Sequence, residues 1–328
     1  MRRLIFLILL LGSLVGYTQN NTPTYTWRMH LPYNSVRQII EADQKLFVLS
    51  DIGIYEFGLK SGEAEFLTKV NGFSESKVVS MGYSNEFNTL VIAYKSGDID
   101  LLKGNSIINL PGIKRSDIFG SKDVYEVYIY NQYAYLSTAF GIVVIDLVAE
   151  EIIDDFQNLG DGGIPLAVNS LAIYNQNIYI GTNEGIKFAP GFDNNVNLKN
   201  FSSWEIINQY DSAVCITDYN NKLYFVSDSI LYSYDGLYFS TVESGVKKGY
   251  KSLNVCHGKL VVCRYEGIAV INESGSIEEY GEVAMSSAIL DFQNNLWFGG
   301  FYRGLMKKDA FGQISYFTPQ GPFASTTY

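Results

Sequence analysis

A small residue that recurs at nearly constant spacing constrains the fold of this 328-residue chain more than any other feature. The series consists of Gly53, Gly97, Gly141, Gly185, Ser229, Gly267 and Gly304. The first four intervals are 44 residues each, and the last two are 38 and 37 residues. Self-similarity at a period of this length is typical of solenoids, propellers and other repeat proteins. The spacing therefore predicts seven copies of one structural unit.

Each unit has the same internal pattern of short strands and tight turns. A first strand such as "VNSLAIY" is followed by a polar turn such as "NQN" and a second strand such as "IYIGT". The recurring glycine then leads into a third strand, and a more variable fourth strand follows. Short, evenly spaced strands at this period predict an all-β fold, a seven-bladed β-propeller of four-stranded antiparallel blades. A β-solenoid is the alternative, although its repeats are usually shorter.

The N-terminus has the pattern of a secretory signal peptide. Arg2 and Arg3 precede an apolar stretch from Leu4 to Val15, which is short for a membrane span of about 20 residues. We therefore expect a signal peptide at residues 1–18, a propeller at 19–313, and export without a transmembrane span of its own. No cysteine follows the apolar stretch, so we do not expect a lipoprotein anchor.

Composition argues against nucleic acid as a ligand and against a disulfide framework. The formal net charge is −10, whereas phosphate binding depends on clustered Lys and Arg. The chain has three cysteines, Cys215, Cys256 and Cys263. An odd number in strand-like segments favours buried free thiols, with one disulfide bond as the alternative.

The sequence contains no motif for catalysis, for a metal or for a cofactor. His30 lies on the predicted closing strand and His257 in a predicted hairpin turn, so neither belongs to a recognisable metal or catalytic constellation. The carboxylates of "LGDGGI" lack the spacing of a calcium loop. None of the familiar nucleophile, zinc or phosphate-binding patterns occurs. We therefore predict a binding protein rather than an enzyme, with no metal and no cofactor.

The two ends of the repeat suggest how the ring closes. The segment Trp27–Leu31 resembles the passage from a fourth to a first strand, and it is predicted to supply the outer strand of the last blade. That pairing would leave residues 314–328 as one outer strand too many. We therefore expect residues 314–328 to begin a second propeller or to form a C-terminal tail, with the natural polypeptide continuing beyond them.

One face of the predicted propeller is the best candidate for ligand binding. In a blade of four antiparallel strands, the turns between strands 2 and 3 and the linkers between blades emerge on the same face. Aromatic rings beside Lys and Arg on that face would suit an anionic sugar chain. The alternative is a solvated rim of mixed charge. The candidate ligand-binding residues are Lys95, Arg115, Phe140, Lys247, Tyr250, Arg264, Tyr265, Tyr302 and Arg303.

Four stretches of the chain resemble one known family. They are "WRMHLPYNSV", "KVNGFSESKVVSMGYSNEFNTLVIAYKSGDIDLL", "INLPGIKRSDIFGSK" and "YAYLSTAFGIVVIDL". Together they are similar to the first propeller of the PorZ family, components of the type IX secretion system of Bacteroidota. The resemblance runs from about residue 25 to residue 328.

The resemblance implies a role but transfers no binding residues. It implies an exported, non-catalytic accessory protein of the periplasm or the outer-membrane cell surface. Such a protein works with the sortase PorU and with PorV and PorQ, and it binds and presents anionic lipopolysaccharide. It also implies a second propeller and a C-terminal secretion signal, neither of which this sequence contains. The blade pattern alone is shared with sensors, so the alternative is a periplasmic, carbohydrate-sensing propeller of a hybrid two-component regulator.

Overall fold

The computed structural model describes residues 33–191, 195–207, 210, 212–243, 249–281 and 284–317. Its 28 strands form seven separate sheets, each with four antiparallel strands. The predicted signal peptide, the predicted closing strand Trp27–Leu31 and Lys247 lie outside the described residues. Among those described, no helix is long and apolar enough to cross a membrane.

The four strands of each blade follow one another in the chain. Blade 1 contains β1 (Gln38–Ala42), β2 (Lys45–Ser50), β3 (Gly53–Gly58) and β4 (Ala64–Leu67). Blade 2 contains β5 (Val78–Ser84), β6 (Thr89–Tyr94), β7 (Ile99–Lys103) and β8 (Ser106–Leu110). Blade 3 contains β9 (Val124–Tyr130), β10 (Tyr133–Thr138), β11 (Gly141–Asp146) and β12 (Glu151–Gln157). Blade 4 contains β13 (Val168–Tyr174), β14 (Asn177–Thr182), β15 (Gly185–Ala189) and β16 (Glu205–Ile207).

The last three blades repeat this arrangement. Blade 5 contains β17 (Cys215–Tyr219), β18 (Lys222–Ser227), β19 (Ile230–Tyr234) and β20 (Phe239–Glu243). Blade 6 contains β21 (Tyr250–Cys256), β22 (Lys259–Arg264), β23 (Gly267–Ile271) and β24 (Ile277–Tyr280). Blade 7 contains β25 (Met285–Leu290), β26 (Leu296–Gly300), β27 (Leu305–Lys308) and β28 (Ile314–Phe317). A short helix α1 (Gly112–Arg115) and two 3-10 turns (Lys69–Asn71 and Phe201–Ser203) lie in loops.

The hydrophobic core is divided among the contacts between neighbouring blades. Seven apolar clusters join each blade to the next, and the seventh joins blade 7 back to blade 1. Because each inner strand is buried on both faces, runs such as Gly141–Asp146 are apolar at consecutive positions. The predicted seven-bladed propeller of four-stranded blades is therefore confirmed.

Blade 7 closes the ring with its own four strands. Ile314–Phe317 pairs with Leu305–Lys308, so these four residues belong to the propeller and the predicted boundary at residue 313 falls inside blade 7. At the seam, the backbone N–H of Val36 donates to Gly300 at 2.8 Å, and that of Gly304 donates to Asn34 at 2.7 Å. The ring of Phe57 packs against Trp297, with centroids 5.5 Å apart. The continuation into a second propeller or tail stays a prediction for residues 318–328, which lie outside the described residues.

Polar side chains on the innermost strands join successive blades near the central axis. The Oε1 atom of Gln38 accepts the Met81 N–H at 2.9 Å, and Ser287 Oγ accepts the Ile39 N–H at 3.1 Å. The corresponding residue of blade 3 is Glu126, whose Oε2 atom accepts the Leu171 N–H at 2.7 Å. These bonds satisfy buried backbone donors that face a neighbouring sheet rather than a partner strand.

The three cysteines are all free thiols, which agrees with the favoured prediction. Burial raises the pKa of Cys215 and Cys263 to about 12 and that of Cys256 to about 11. Since the thiolate is the reactive form, we expect Ellman's reagent at pH 8 to modify the folded protein more than about 100-fold more slowly than free cysteine. Unfolding without a reductant should release all three thiols. A lower count after unfolding would reveal a disulfide and contradict the assignment.

Candidate functional site on the linker face

The turns between strands 2 and 3 and the linkers between blades lie on one face of the propeller, as the sequence pattern predicts. In blade after blade, the N–H of a turn residue donates to a carbonyl of the preceding linker. The bonds are Lys95 to Lys77 (3.0 Å), Ala139 to Asp123 (3.0 Å), Tyr265 to Gly249 (3.2 Å) and Phe301 to Ala284 (3.3 Å). We call this surface the linker face.

Each first strand begins at the linker face, and most first strands carry an irregularity there. The pairing with strand 2 skips one residue in five blades; the skipped residues are Val79, Tyr125, Asn169, Lys251 and Ser286. A β-bulge of this kind bends the strand and re-aims the side chain of the extra residue. The bulges therefore interrupt the alternation of buried and exposed side chains where the first strands meet the linker face.

Three aromatic rings lie side by side on the linker face of blades 6 and 7. The ring centroids of Tyr265 and Phe301 are 6.3 Å apart, and those of Phe301 and Tyr302 are 6.2 Å apart. The Nζ atom of Lys251 lies 5.8 Å from the centre of the Tyr265 ring. We call Lys251, Tyr265, Phe301, Tyr302 and the neighbouring Arg303 the aromatic patch.

The aromatic patch is accessible to a ligand. Tyr302 is 79% exposed and Phe301 is 44% exposed. Lys251 and Arg303 are also exposed, while Tyr265 is half-buried. Three of the predicted site residues, Tyr265, Tyr302 and Arg303, are therefore brought together.

Three other predicted residues are largely buried, and their side chains make contacts within the fold. Phe140 is 5% exposed and packs in the core between blades 2 and 3. The guanidinium of Arg264 contacts the carboxylates of Glu243 and Glu279. The hydroxyl of Tyr250 donates to Glu243 Oε2 at 3.0 Å. Arg264 thus joins the outer strands of blades 5 and 6. The prediction that its guanidinium lies open to a ligand is therefore wrong.

Burial and the neighbouring carboxylates also shift the pKa values of Arg264 and Tyr250. Burial opposes the charge of Arg264, but its contacts with Glu279 and Glu243 outweigh burial and raise its pKa. Burial also raises the pKa of Tyr250, and the nearby Glu243 adds to that shift. Both side chains are therefore held in one protonation state by contacts within the fold.

Two further predicted residues, Lys95 and Arg115, lie elsewhere on the linker face. Lys95 follows β6 in blade 2, and Arg115 ends α1 in the linker from blade 2 to blade 3. Both side chains are exposed. They belong to a different part of the linker face from the aromatic patch.

Sequence reasoning missed two members of the aromatic patch, Lys251 and Phe301. Lys251 lies within a strand and is placed on the linker face by the bulge in β21. Phe301 directly precedes Tyr302 in the turn between β26 and β27. The sequence signal that would have found Lys251 is its place before Ser252, which corresponds to Asn169 before Ser170 and Ser286 before Ser287 in blades 4 and 7.

The chemistry of the aromatic patch suits a ligand with flat apolar surfaces and negative charge. Pyranose rings stack on exposed aromatic faces, and fixed cations at the edge pair with carboxylate or phosphate groups. The described residues contain no group of three or more His, Cys, Asp or Glu side chains placed to hold a metal ion. The fold and the aromatic patch together define the class of the protein, a β-propeller with a candidate binding surface on one face.

Solved structures with the same fold include propellers of several kinds. PorZ of Porphyromonas gingivalis, described as an essential bacterial surface component of the type IX secretion system, matches with a TM-score of 0.76 and 19% identity, over 91% of this chain and 39% of that chain. The WD40 propeller of Doa1 matches with a TM-score of 0.64 and 12% identity, over 85% of this chain and 93% of that one. The extracellular domain of a putative one-component system of B. thetaiotaomicron matches with a TM-score of 0.60 and 13% identity, over 85% and 39%. At these identities the likeness shows the fold alone.

A family model matches about half of the sequence. Residues 46–205 match the family described as the N-terminal β-propeller domain of PorZ of the type IX secretion system. The match covers 160 of the 328 residues and confirms the resemblance noted in the sequence. It spans 39% of the length of the PorZ chain from P. gingivalis. No curated protein sequence matches it.

Proposed function

We propose that this propeller is a non-catalytic, exported part of a type IX secretion component, and that its linker face binds anionic lipopolysaccharide. The match of residues 46–205 to the PorZ propeller family supports the secretion role. The single observation that carries the binding proposal is the aromatic patch, in which three adjacent rings are bordered by Lys251 and Arg303.

The aromatic patch provides the two kinds of contact that a charged glycan needs. Sugar rings bury their apolar faces against Tyr and Phe, while a carboxylate or phosphate on the glycan pairs with a nearby cation. The rest of the protein is acidic, with a formal net charge of −10, so the cations at the aromatic patch are a local exception. This exception gives the linker face selectivity for an anionic glycan over a neutral one.

Within the proposed function, the propeller holds the glycan and the chemistry takes place on a partner. The partner is the cell-surface sortase PorU, in a complex that also contains PorV and PorQ, at the periplasmic or outer-membrane surface. A rigid ring of seven blades suits this task because its binding loops are fixed by the sheets beneath them. The propeller would present the glycan without reacting with it.

Titration of purified protein (residues 19–328) with anionic lipopolysaccharide tests the proposal. We expect binding, with clearly weaker binding to lipopolysaccharide from a strain that lacks the anionic polymer. The double variant Tyr265→Ala/Tyr302→Ala should lose about tenfold or more in affinity, because each stacked ring contributes about 0.5–1.5 kcal/mol.

A matched control is available on the opposite face. Tyr238 is 71% exposed in the turn between β19 and β20, and Tyr238→Ala should bind like the wild type. The thermal transitions of Tyr238→Ala and of the single variant Tyr302→Ala should agree with that of the wild type, because both side chains lie on the surface. Absence of binding by the wild type, or equal loss in Tyr238→Ala, would overturn the proposal.

A further inference from the structure

A second surface on the linker face, in blades 1 to 3, exposes two apolar side chains almost completely. Val70 is 92% exposed in the linker between β4 and β5, and Phe119 is fully exposed in the linker between β8 and β9. Side chains of this kind are disfavoured in water unless something covers them, and exposed apolar groups rimmed by charge mark interaction surfaces.

The turn that carries Val70 is rigid. Thr68 and Asn71 form a capping box, in which Thr68 Oγ1 accepts the Val70 N–H at 3.2 Å and Asn71 Oδ1 accepts the Thr68 N–H at 3.0 Å. Gly72 ends the turn in the left-handed conformation, with φ of 101°. Val70 is therefore held outward by local hydrogen bonds.

The loop that carries Phe119 is also held in place. The Nζ atom of Lys122 donates to the carbonyls of Lys114 and Ser116, at 2.9 and 2.7 Å. These bonds connect the two sides of the loop around Phe119. Both apolar side chains are thus pre-organised, which lowers the entropic cost of covering them in a complex.

One carboxylate links the two loops into a single surface. The Oε1 atom of Glu75 accepts hydrogen bonds from Ser96 Oγ at 2.8 Å and from Lys114 Nζ at 2.7 Å. Lys114 also donates to Asp98 Oδ2 at 2.8 Å. Since Glu75, Ser96 and Lys114 lie in the first linker, the β6–β7 turn and the second linker, the three segments are fixed relative to one another.

The surface is cationic, in contrast to the chain as a whole. Its exposed cations are Lys69, Lys77, Lys95 and Arg115. None of the four forms an ion pair with a residue in the described ranges, whereas Lys114 is fully occupied by Glu75 and Asp98. Asp117 is the exposed counter-charge nearby in the chain. We call the four cations with Val70 and Phe119 the basic docking surface.

We propose that the basic docking surface binds an acidic surface of a partner protein, with Val70 and Phe119 inserted into apolar pockets of that partner. Charge complementarity specifies the sign of the partner's surface. The four cations, which form no ion pair within the described residues, steer this protein toward a negatively charged surface of the partner. The protruding valine specifies the class of partner. A glycan stacks on flat rings and has no pocket for a branched aliphatic side chain, whereas a protein has one. The inference goes beyond glycan binding and uses a different part of the linker face.

Site-specific photo-crosslinking in intact cells that express the full natural protein tests the proposal. The photoreactive residue p-benzoylphenylalanine replaces Phe119 in one strain and Leu237 in the control strain. Leu237 is 80% exposed in the turn between β19 and β20, on the opposite face. We expect one discrete protein adduct from position 119 that position 237 does not give, with the crosslinked peptide mapping to an Asp- and Glu-rich surface.

Charge reversal decides whether the cations take part. The change Lys95→Glu/Arg115→Glu should lower the yield of the adduct about tenfold, since rim charges act mainly on the rate of association. Both side chains are exposed, so the thermal transition should not move. Four outcomes would overturn the proposal. They are a ladder of glycan adducts, an adduct with a second copy of this chain, the same adducts from position 237, and an adduct yield that charge reversal does not change.

Discussion

The change Gly141→Ala is expected to lower the free energy of unfolding by about 3–5 kcal/mol, because two separate costs fall on one residue. Gly141 has φ of +138°, a region that L-residues rarely adopt. A Cβ atom there would also lie 2.0 Å from the carbonyl oxygen of Phe156 in the neighbouring strand. Equilibrium denaturation in urea measures the change directly, and the midpoint should fall while the m-value stays constant.

A second glycine separates the two costs. Gly120 has φ of +108°, but a Cβ atom added there would have no neighbour within 4 Å. Gly120→Ala should therefore lose only the backbone contribution, about 1–2 kcal/mol. If Gly141→Ala and Gly120→Ala lowered the free energy of unfolding by the same amount, the close approach to Phe156 would not be the reason for a glycine at position 141.

The change Glu126→Gln is expected to stabilise the protein by about 2–3 kcal/mol at pH 8.5 and by almost nothing near pH 4.5. Burial raises the pKa of Glu126 to about 7, although hydrogen bonds from Leu171 and Ser170 partly oppose this shift. Gln38, at the corresponding place in blade 1, shows that an amide can make the same type of bond to the next blade. Glutamine therefore keeps the contact and removes the buried charge.

The change in stability with pH follows from the different proton affinities of Glu126 in the folded and unfolded states. The pKa of Glu126 is higher in the folded protein than in the unfolded chain, so the folded state retains a proton that the unfolded state has lost. This contribution to stability is fully present below about pH 4.5, the ordinary pKa of the carboxyl group, is lost as the pH rises from there to about 7, and stays at its lowest level above pH 7. Chemical denaturation of both proteins from pH 4.5 to 8.5 measures the growing difference. The exposed Glu151→Gln is the control, and a constant difference across the range would contradict the assignment.

The architecture could be predicted from the sequence because its information is local and repeated. The 44-residue spacing, the polar turns and the glycine series each occur several times, so an irregular copy such as Ser229 does not obscure the pattern. The polar turns between first and second strands lie where the pattern places them, and Asn131, Asn175 and Asn220 in these turns all have positive φ, which Asn tolerates. Repetition also located the linker face correctly.

The roles of individual side chains could not be predicted because they depend on residues far away in the chain. The turn position of Phe140 was predicted, but its burial depends on the packing of blade 2 against blade 3. Arg264 was predicted to lie on the rim, yet two carboxylates from neighbouring outer strands hold it inside. Lys251 was not predicted because its exposure depends on a bulge in β21, which interrupts the alternation of buried and exposed side chains.

The closure of the ring shows the same limit. The sequence pattern predicted that residues 314–328 begin a second propeller or form a C-terminal tail, because Trp27–Leu31 also has the pattern of an outer strand. In the structure Ile314–Phe317 pairs with β27, and Phe317 packs against Phe57 with centroids 4.9 Å apart. The sequence pattern alone did not show that Ile314–Phe317 pairs within blade 7, because that pairing depends on the strand beside it.

Hydrogen–deuterium exchange with and without anionic lipopolysaccharide tests the central claim, that the linker face of blades 6 and 7 binds the glycan. We expect slower exchange in the two turns that carry the aromatic patch, residues 264–267 and 300–304. We expect no change in the turns of the opposite face at residues 235–238 and 309–313. Protection confined to the opposite face, or to the basic docking surface in blades 1 to 3, would show that the glycan binds elsewhere.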